Sequence, residues 1–347
     1  MDLTIRLDRR AVGSGQAPYV IAEIGSNHNG DMDLCRRLID AAVTAGVDAV
    51  KFQSFSIEGL LARQEYAGQD GFLRDVERYR FKPEQHRTVK AYCDERGVTF
   101  CSTPFSTREA DLLGELGVPF FKISSTDVNN PVFLRHVARK QRPIVLSTGM
   151  ATLGEIERAV EVIRGAGNEQ IVLLHCVSLY PPDYGRVNLR NIEMFHDVFS
   201  LPVGFSDHTL GIGCPLAAIA LGACVVEKHF TLDKKLGGWD HAVSADPTEM
   251  TAIVREGRAV WQSLGRYGRV VSPEEAEKRA AFRRSLVTTR TMKAGEVLRE
   301  ADLQFKRPGT GIPPDEAEFA LGQILIEDLA AEQVVRWSHL ERGRTRR

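Results

Sequence analysis

Between Tyr19 and Leu264 the chain repeats one pattern eight times: a short apolar run of strand length, then a stretch with helical spacing. The runs are 19–27, 49–55, 98–105, 120–125, 143–149, 171–178, 203–208 and 223–229. Helical patterns fill 32–47, 83–97, 107–117, 131–141, 153–167, a stretch near 188–199, 211–223 and 247–264. Strict alternation of this kind calls for parallel strands with crossover helices, because parallel neighbours cannot be joined by a tight turn. Eight units predict an α/β fold of the closed (β/α)8 barrel type rather than an open doubly wound sheet. No GxGxxG follows the first run, which argues against a dinucleotide fold. Residues 56–80 are charged and without period, and read as an extended loop over a site.

Two runs end in histidine. VGFSDH finishes at His208 and ACVVEKH at His229, with the helical GIGCPLAAIALGA between them. Parallel neighbours end on the same side, so the two imidazoles can converge. They are either ligands for a divalent metal or hydrogen-bonded histidines at strand ends. The other run ends are polar too: Glu23; Lys51 and Gln53; Ser102 and Thr103; Lys122, Ser124 and Ser125; Ser147 and Thr148; His175 and Ser178; Ser206 and Asp207; Glu227 and Lys228. In a barrel these ends form one mouth. Two ammonium groups, Lys51 and Lys122, among the hydroxyls of Thr103, Ser125, Ser147 and Ser206 suit a phosphate that carries a further carboxylate. Glu23 ends the first strand, which closes against the eighth, and so belongs beside His229, where it can orient water or take a proton.

A second texture begins after a charged linker, 266–284, expected to be partly helical. From Ser285 onward short runs and Gly-rich breaks predict a small β-rich domain, so the expected division is 1–265, 266–284 and 285–347. A formal net charge of −1 over 347 residues gives no general attraction to nucleic acid or to an anionic membrane surface. The basic terminus RGRTRR (342–347) reads as a solvated tail. Six cysteines without a CxxC spacing read as reduced thiols. With no signal-peptide core at MDLTIRLDRR and no apolar run near the ~20 residues of a membrane span, the expected location is cytoplasmic.

The motifs IAEIGSNHNG (21–30), VKFQ (50–53), STPF (102–105), FKISS (121–125), NNP (129–131), LSTGM (146–150), LLHCVSLYP (173–181), SDHT (206–209) and EKHFTLD (227–233) resemble the sialic acid synthase family. KAGEVL (293–298) and KRPGTGIPP (306–314) resemble its antifreeze-like (SAF, β-clip) domain, so the resemblance runs through almost the whole chain. It implies condensation of phosphoenolpyruvate with an N-acetylmannosamine-type sugar to a nine-carbon keto acid plus phosphate. It implies His208 and His229 as ligands of manganese, or of magnesium or cobalt, and Glu23 as the catalytic carboxylate. Lys51, Thr103, Lys122, Ser125, Ser147, Ser178 and Ser206 fall at the phosphoenolpyruvate pocket, with Ser178 where some members have asparagine. Gln53, Asp127, Tyr180 and Asp240 fall at the sugar, with Asp127 where some members have glutamate. Arg307 corresponds to an arginine that the antifreeze-like domain of one subunit lends to the barrel of another, which implies a domain-swapped homodimer. Trp239 stands where a smaller residue is expected, either packed on the rim or walling part of the sugar. The acceptor stays open among N-acetylmannosamine, its 6-phosphate and the diacetamido-trideoxy hexoses that lead to legionaminic or pseudaminic acid.

Overall fold

A computed structural model describes residues 4–341. The chain divides into two compact units, Met1–Gly265 and Arg266–Arg347.

The first unit opens with an antiparallel hairpin, β1 (Thr4–Leu7) and β2 (Arg10–Gly13), ahead of the first apolar run read as a strand. The barrel strands follow as β3 (Tyr19–Gly25), β4 (Ala49–Ser54), β5 (Thr99–Pro104), β6 (Phe121–Ile123), β7 (Ile144–Ser147), β8 (Ile171–Cys176), β9 (Val203–Asp207) and β10 (Val225–His229). They form one parallel sheet in the order β5-β4-β3-β10-β9-β8-β7-β6, and β5 lies against β6 to close it. The first barrel strand therefore pairs with the last, in the register His229 to Glu23.

Between β3 and β4 runs α1 (Met32–Ala45), started by the Asp31 carboxylate, which accepts from the Asp33 and Leu34 amides, and stopped by Gly46 at φ 81°. The segment expected as an irregular loop, 56–80, instead holds α2 (Ile57–Leu60), a 3₁₀ turn (Arg63–Tyr66) and α3 (Asp70–Tyr79). Its charged surface hid a small core in which Ile57, Val76 and Tyr79 pack on Phe55. The remaining crossovers are α4 (Pro83–Arg96), α5 (Thr107–Glu115), α6 (Pro131–Ala138), α7 (Leu153–Gly165), α8 (Asn191–Phe199) and α9 (Gly213–Ala220), and α10 (Pro247–Leu264) follows the last strand. Capping boxes Thr152/Glu155 and Asp246/Glu249 start α7 and α10 where the sequence placed those helices.

Two apolar layers result. One lies between sheet and helices, with Ile24, Leu38, Phe52, Leu134, Ile163 and Ile253 in it. The other fills the barrel interior: Tyr19, Ile21, Cys101, Phe120, Val145, Val172, Leu174 and Val225 pack together with Ile5, Leu7 and Val12 of the hairpin. The hairpin thus caps the N-terminal end of the barrel with apolar side chains. Two residues further along each strand the inward positions turn polar, and there the interior opens into a cavity.

In the second unit α11 (Pro273–Phe282) precedes an antiparallel pair, β11 (Ser285–Thr288) and β12 (Leu303–Lys306). A short α12 (Ala317–Ala320) and isolated bridges surround a core of Leu286, Met292, Leu298, Ile312, Leu325, Leu329 and Val335. The expected linker is not free: the Gly309 amide donates to the Ala280 carbonyl of α11, and a side chain at Gly309 would strike the Arg279 carbonyl. The basic tail 342–347 lies outside the described residues. All six cysteines are free and buried, and no helix among the described residues is long and apolar enough to cross a membrane.

Candidate active site

Inward-facing residues of the barrel strands line a cavity of about 250 Å³ at the C-terminal mouth. Of the fifteen site residues named from sequence, Glu23, Lys51, Gln53, Thr103, Lys122, Ser125, Ser147, Ser178, Tyr180, Ser206, His208 and His229 line it together. Asp240 stands next to them, its carboxylate 3.6 Å from His229 Nδ1. Asp127, in the 3₁₀ turn after β6, accepts a hydrogen bond from Asn130 and does not line the cavity. Arg307 belongs to the second unit, where it is exposed and its guanidinium lies 5.1 Å over the Phe282 ring.

The charges are ranged in a ring around the mouth, in contact in the order Glu23, Lys51, Glu227, Lys122. Lys51 Nζ sits 2.8 Å from Glu23 Oε2 and donates to Thr103 Oγ1 at 3.0 Å. Lys122 Nζ donates to Ser147 Oγ at 2.8 Å. Between the two lysines lies Glu227, 3.8 Å from Lys51 and 3.5 Å from Lys122, accepting from Ser206 at 3.3 Å. Glu227 is the residue that strand-end reading found but gave no role. The signal was present in its spacing: it lies two positions before His229, so both face inward. Without it two buried ammonium groups would repel each other in a low-dielectric interior.

Electrostatics sort these groups. Burial pushes the Glu23 carboxyl up, against the pull of Lys51. Burial works against charge on Glu227 as well, but Lys122 and Lys51 outweigh it and hold that carboxyl below the usual range. Burial opposes the Lys51 ammonium, yet Glu227 and Glu23 overcome it and push it up to about 12. At Lys122 burial prevails and lowers the ammonium. The ring therefore keeps Glu227 ionised and leaves Glu23 as the carboxyl able to hold a proton at higher pH than usual.

Beside the ring the His208 and His229 rings lie 5.4 Å apart, with Tyr180 packed 4.1 Å from the first and 6.0 Å from the second. His208 Nδ1–H donates to the Val177 carbonyl at 2.9 Å, which leaves Nε2 as its basic nitrogen. His229 Nδ1 is buried without a hydrogen-bond partner. Burial, reinforced by His208, depresses the His229 imidazole well below its ordinary value and keeps it neutral. Two basic imidazole nitrogens in a polar mouth fit a divalent ion. Among the described residues no group of three or more His, Cys, Asp or Glu side chains is arranged around a metal position.

Backbone shape holds the ring tight. An added Cβ at Gly149 would stand 2.2 Å from Ser178 Oγ and 2.9 Å from Ser125 Oγ, and the Gly149 amide donates to Ser125 Oγ at 2.9 Å. The loop after β3 ties the mouth together: Asn27 donates to the Phe230 carbonyl and to Ser244, Asn29 donates to the Gly237 carbonyl, and Arg78 of α3 donates to the Asn29 carbonyl. Trp239 packs edge-on to Tyr79 at 4.8 Å and stacks on Phe72 at 6.0 Å, which makes it a rim residue joining α3 to the loop after β10.

A barrel with this mouth, followed by a separate small C-terminal unit, defines an enzyme of the sialic acid synthase type. The chain belongs to the NeuB family, whose model matches residues 38–269, and a SAF domain matches residues 283–341. It is 40% identical to an uncharacterized protein of Methanocaldococcus jannaschii, over 97% of this chain and 98% of that one. It is 38% identical to an N,N'-diacetyllegionaminic acid synthase of Campylobacter jejuni, over 91% and 98%. A crystal structure of N-acetylneuraminic acid (sialic acid) synthetase from Leptospira borgpetersenii superposes with a TM-score of 0.74 at 33% identity, covering 80% of this chain and 95% of that one.

Proposed function

We propose that the enzyme joins phosphoenolpyruvate to the open-chain aldehyde of an N-acyl mannosamine-type sugar, giving a nine-carbon 2-keto-3-deoxy acid and inorganic phosphate. The observation that carries this is the Lys51–Glu227–Lys122 ring and its hydroxyls sharing one cavity with the His208/His229 pair. In this reading Lys51, Lys122, Thr103, Ser125, Ser147, Ser178 and Ser206 hold the phosphate and carboxylate of phosphoenolpyruvate. Gln53, Tyr180, Asp127 and Asp240 hold the sugar. His208 and His229 would hold a divalent ion, manganese first. When bound, that ion supplies Lewis-acid polarisation of the aldehyde oxygen.

Chemistry then follows from position. The methylene carbon of phosphoenolpyruvate bonds to the aldehyde carbon, and the aldehyde oxygen takes the proton that Glu23, raised by burial, carries. The cation left at the phosphate-bearing carbon takes water, whose proton goes to Glu23. Glu23 suits that task because Gln53 Nε2, donating to Oε1 at 3.0 Å, and Lys51, at Oε2, fix its plane. Collapse of the adduct breaks the C–O bond to the phosphorus-bearing oxygen. The remaining hydroxyl proton passes to the departing phosphate as the keto group forms, and phosphate leaves into the field of Lys51 and Lys122. Arg307 completes the sugar site from a second subunit, in a domain-swapped homodimer that works in the cytoplasm.

Among acceptors the diacetamido-trideoxy hexose leading to legionaminic acid is favoured, because a 38% and a 39% identical relative are both named N,N'-diacetyllegionaminic acid synthase. N-acetylmannosamine is the second reading, on the likeness to the Leptospira synthetase. The test is phosphate release from phosphoenolpyruvate with manganese and each of four acceptors: N-acetylmannosamine, its 6-phosphate, and the legionaminic- and pseudaminic-type diacetamido hexoses. Turnover with the legionaminic-type sugar at least ~10-fold above the others in kcat/KM, about 1.4 kcal/mol of discrimination, is the expected result. His208→Ala and His229→Ala lose that turnover; release that survives both substitutions and a chelator removes the metal from the reading.

A further inference from the structure

The two strands that carry the histidines are joined on their other face by a buried ion pair, which the ring chemistry does not use. Side chains alternate along β9 and β10. Ser206, His208, Glu227 and His229 face the cavity, so Asp207 and Lys228 point the opposite way, and they are direct register partners. Their side chains are 0% and 1% exposed. Lys228 Nζ donates to Asp207 Oδ2 at 2.5 Å and to the Thr209 carbonyl at 2.5 Å. The other carboxylate oxygen, Asp207 Oδ1, accepts the Thr209 amide at 2.8 Å. The three bonds form a closed loop around His208: one residue before it and one after it are tied to each other and to the residue that precedes His229.

A buried ion pair is a poor source of stability, since an apolar pair of the same volume often serves as well. What this pair supplies is position. The His208 ring has its own anchor in the Val177 carbonyl, but His229 has no hydrogen bond at Nδ1. Its backbone pairs with Glu23 of β3 and its carbonyl accepts the Ala245 amide, while its placement relative to His208 across the β9–β10 pairing runs through residue 228. We infer that Asp207 and Lys228 are positioning residues that fix the distance between the two imidazoles and so set the affinity of the site for a divalent ion. This rests on the metal reading of His208 and His229.

The decisive variant is the neutral double substitution Asp207→Asn/Lys228→Met, which removes both charges together and leaves neither buried alone. Binding of Mn²⁺ alone to the metal-free enzyme is measured from the electron paramagnetic resonance signal of free Mn²⁺, without turnover. Groups hydrogen-bonded directly to metal ligands change metal affinity by roughly 10- to 100-fold, and a pair one residue removed from both ligands belongs at the lower end of that range, about 10-fold. The double variant is expected to bind Mn²⁺ that much more weakly while its affinity for phosphoenolpyruvate stays as in the wild type. A control pair at the opposite end of the barrel, Arg10→Met/Asp48→Asn, removes the Arg10–Asp48 ion pair and lowers stability without changing Mn²⁺ affinity. Mn²⁺ affinity of the 207/228 variant within twofold of wild type overturns the inference. If that protein does not fold, Lys228→Gln, which can still donate hydrogen bonds but bears no charge, is judged by the same measure. Wild-type enzyme that binds no Mn²⁺, or binds it equally after His208→Ala, defeats the metal reading instead.

Discussion

At the scale of single residues the site depends on two positions that look incidental in sequence. Gly149 is required because Ser125 and Ser178 occupy the volume a methyl group would take. Gly149→Ala must push both hydroxyls aside, and it is expected to raise the KM for phosphoenolpyruvate 10-fold or more, about 1.4 kcal/mol, with a smaller change in melting temperature. Steady-state kinetics with the acceptor saturating will show this; an unchanged KM would mean the serines do not touch that substrate. Glu227 is the second position. It raises Lys122 against the lowering effect of burial. In Glu227→Gln that support is gone, so the Lys122 ammonium deprotonates at lower pH than before. The alkaline limb of kcat/KM, which reports loss of the charged form, should move to lower pH, and a limb that stays in place would show that Lys122 is not the group titrating there. Lys51 and Lys122 could be recognised from sequence as a pair because each ends an apolar run. The carboxylate between them could be placed inward by its spacing from His229, but its role as their shared counter-charge could not be assigned, since that depends on how β4, β6 and β10 face one another across the barrel.

At the scale of elements the alternation of runs and helices was legible because each apolar strand is buried on both faces, and an uninterrupted apolar run is what that requires. The hairpin β1–β2 and the helices of 57–79 were not. Their apolar residues are few and spaced among charges, and their partners, such as Phe55 for Val76 and Tyr19 for Leu7, come from elsewhere in the chain. The loop after β3 and the start of α4 share a further feature: His28 stacks on Phe81 at 3.9 Å and His86 meets the same ring edge-on at 5.6 Å. Burial depresses His28 to about 3, with His86 adding to it, and burial alone depresses His86 to about 4. An unfolded histidine titrates near ~6.5. Between those values the unfolded chain binds protons the native one refuses, so stability rises with pH there. The contribution is complete above ~6.5 and is lost as pH falls toward 4 and then 3. Melting temperature should be flat at neutral pH and drop below that point, and His86→Leu should make the drop shallower. A wild-type profile flat to pH 4 would show that these histidines are not buried as neutral rings.

At the scale of the whole molecule, the proposed homodimer makes a quantitative demand. If Arg307 serves the barrel of another subunit, the inactive Lys51→Ala enzyme and the sugar-defective Arg307→Ala enzyme should complement each other. Random exchange of subunits leaves half the molecules as mixed dimers with one intact site each, so roughly a quarter of wild-type activity should return on mixing after dissociation. No recovery, from subunits shown to exchange, removes Arg307 from a shared site. The chain's own topology has a separate consequence. β3, the first barrel strand made, pairs with β4 on one side but finds its other neighbour only in β10, the last, and the register of that final pairing sets Glu23 against His229. Long-range pairings form late because their loops are costly to close. An emerging chain therefore carries Lys51 and Lys122 on their strands before it has a complete mouth, and the residues of the mouth come together only when the barrel closes. The β3–β10 pairing during refolding would thus mark ring closure, and on the proposed reading activity would return only after the divalent ion and the second subunit have joined the closed barrel.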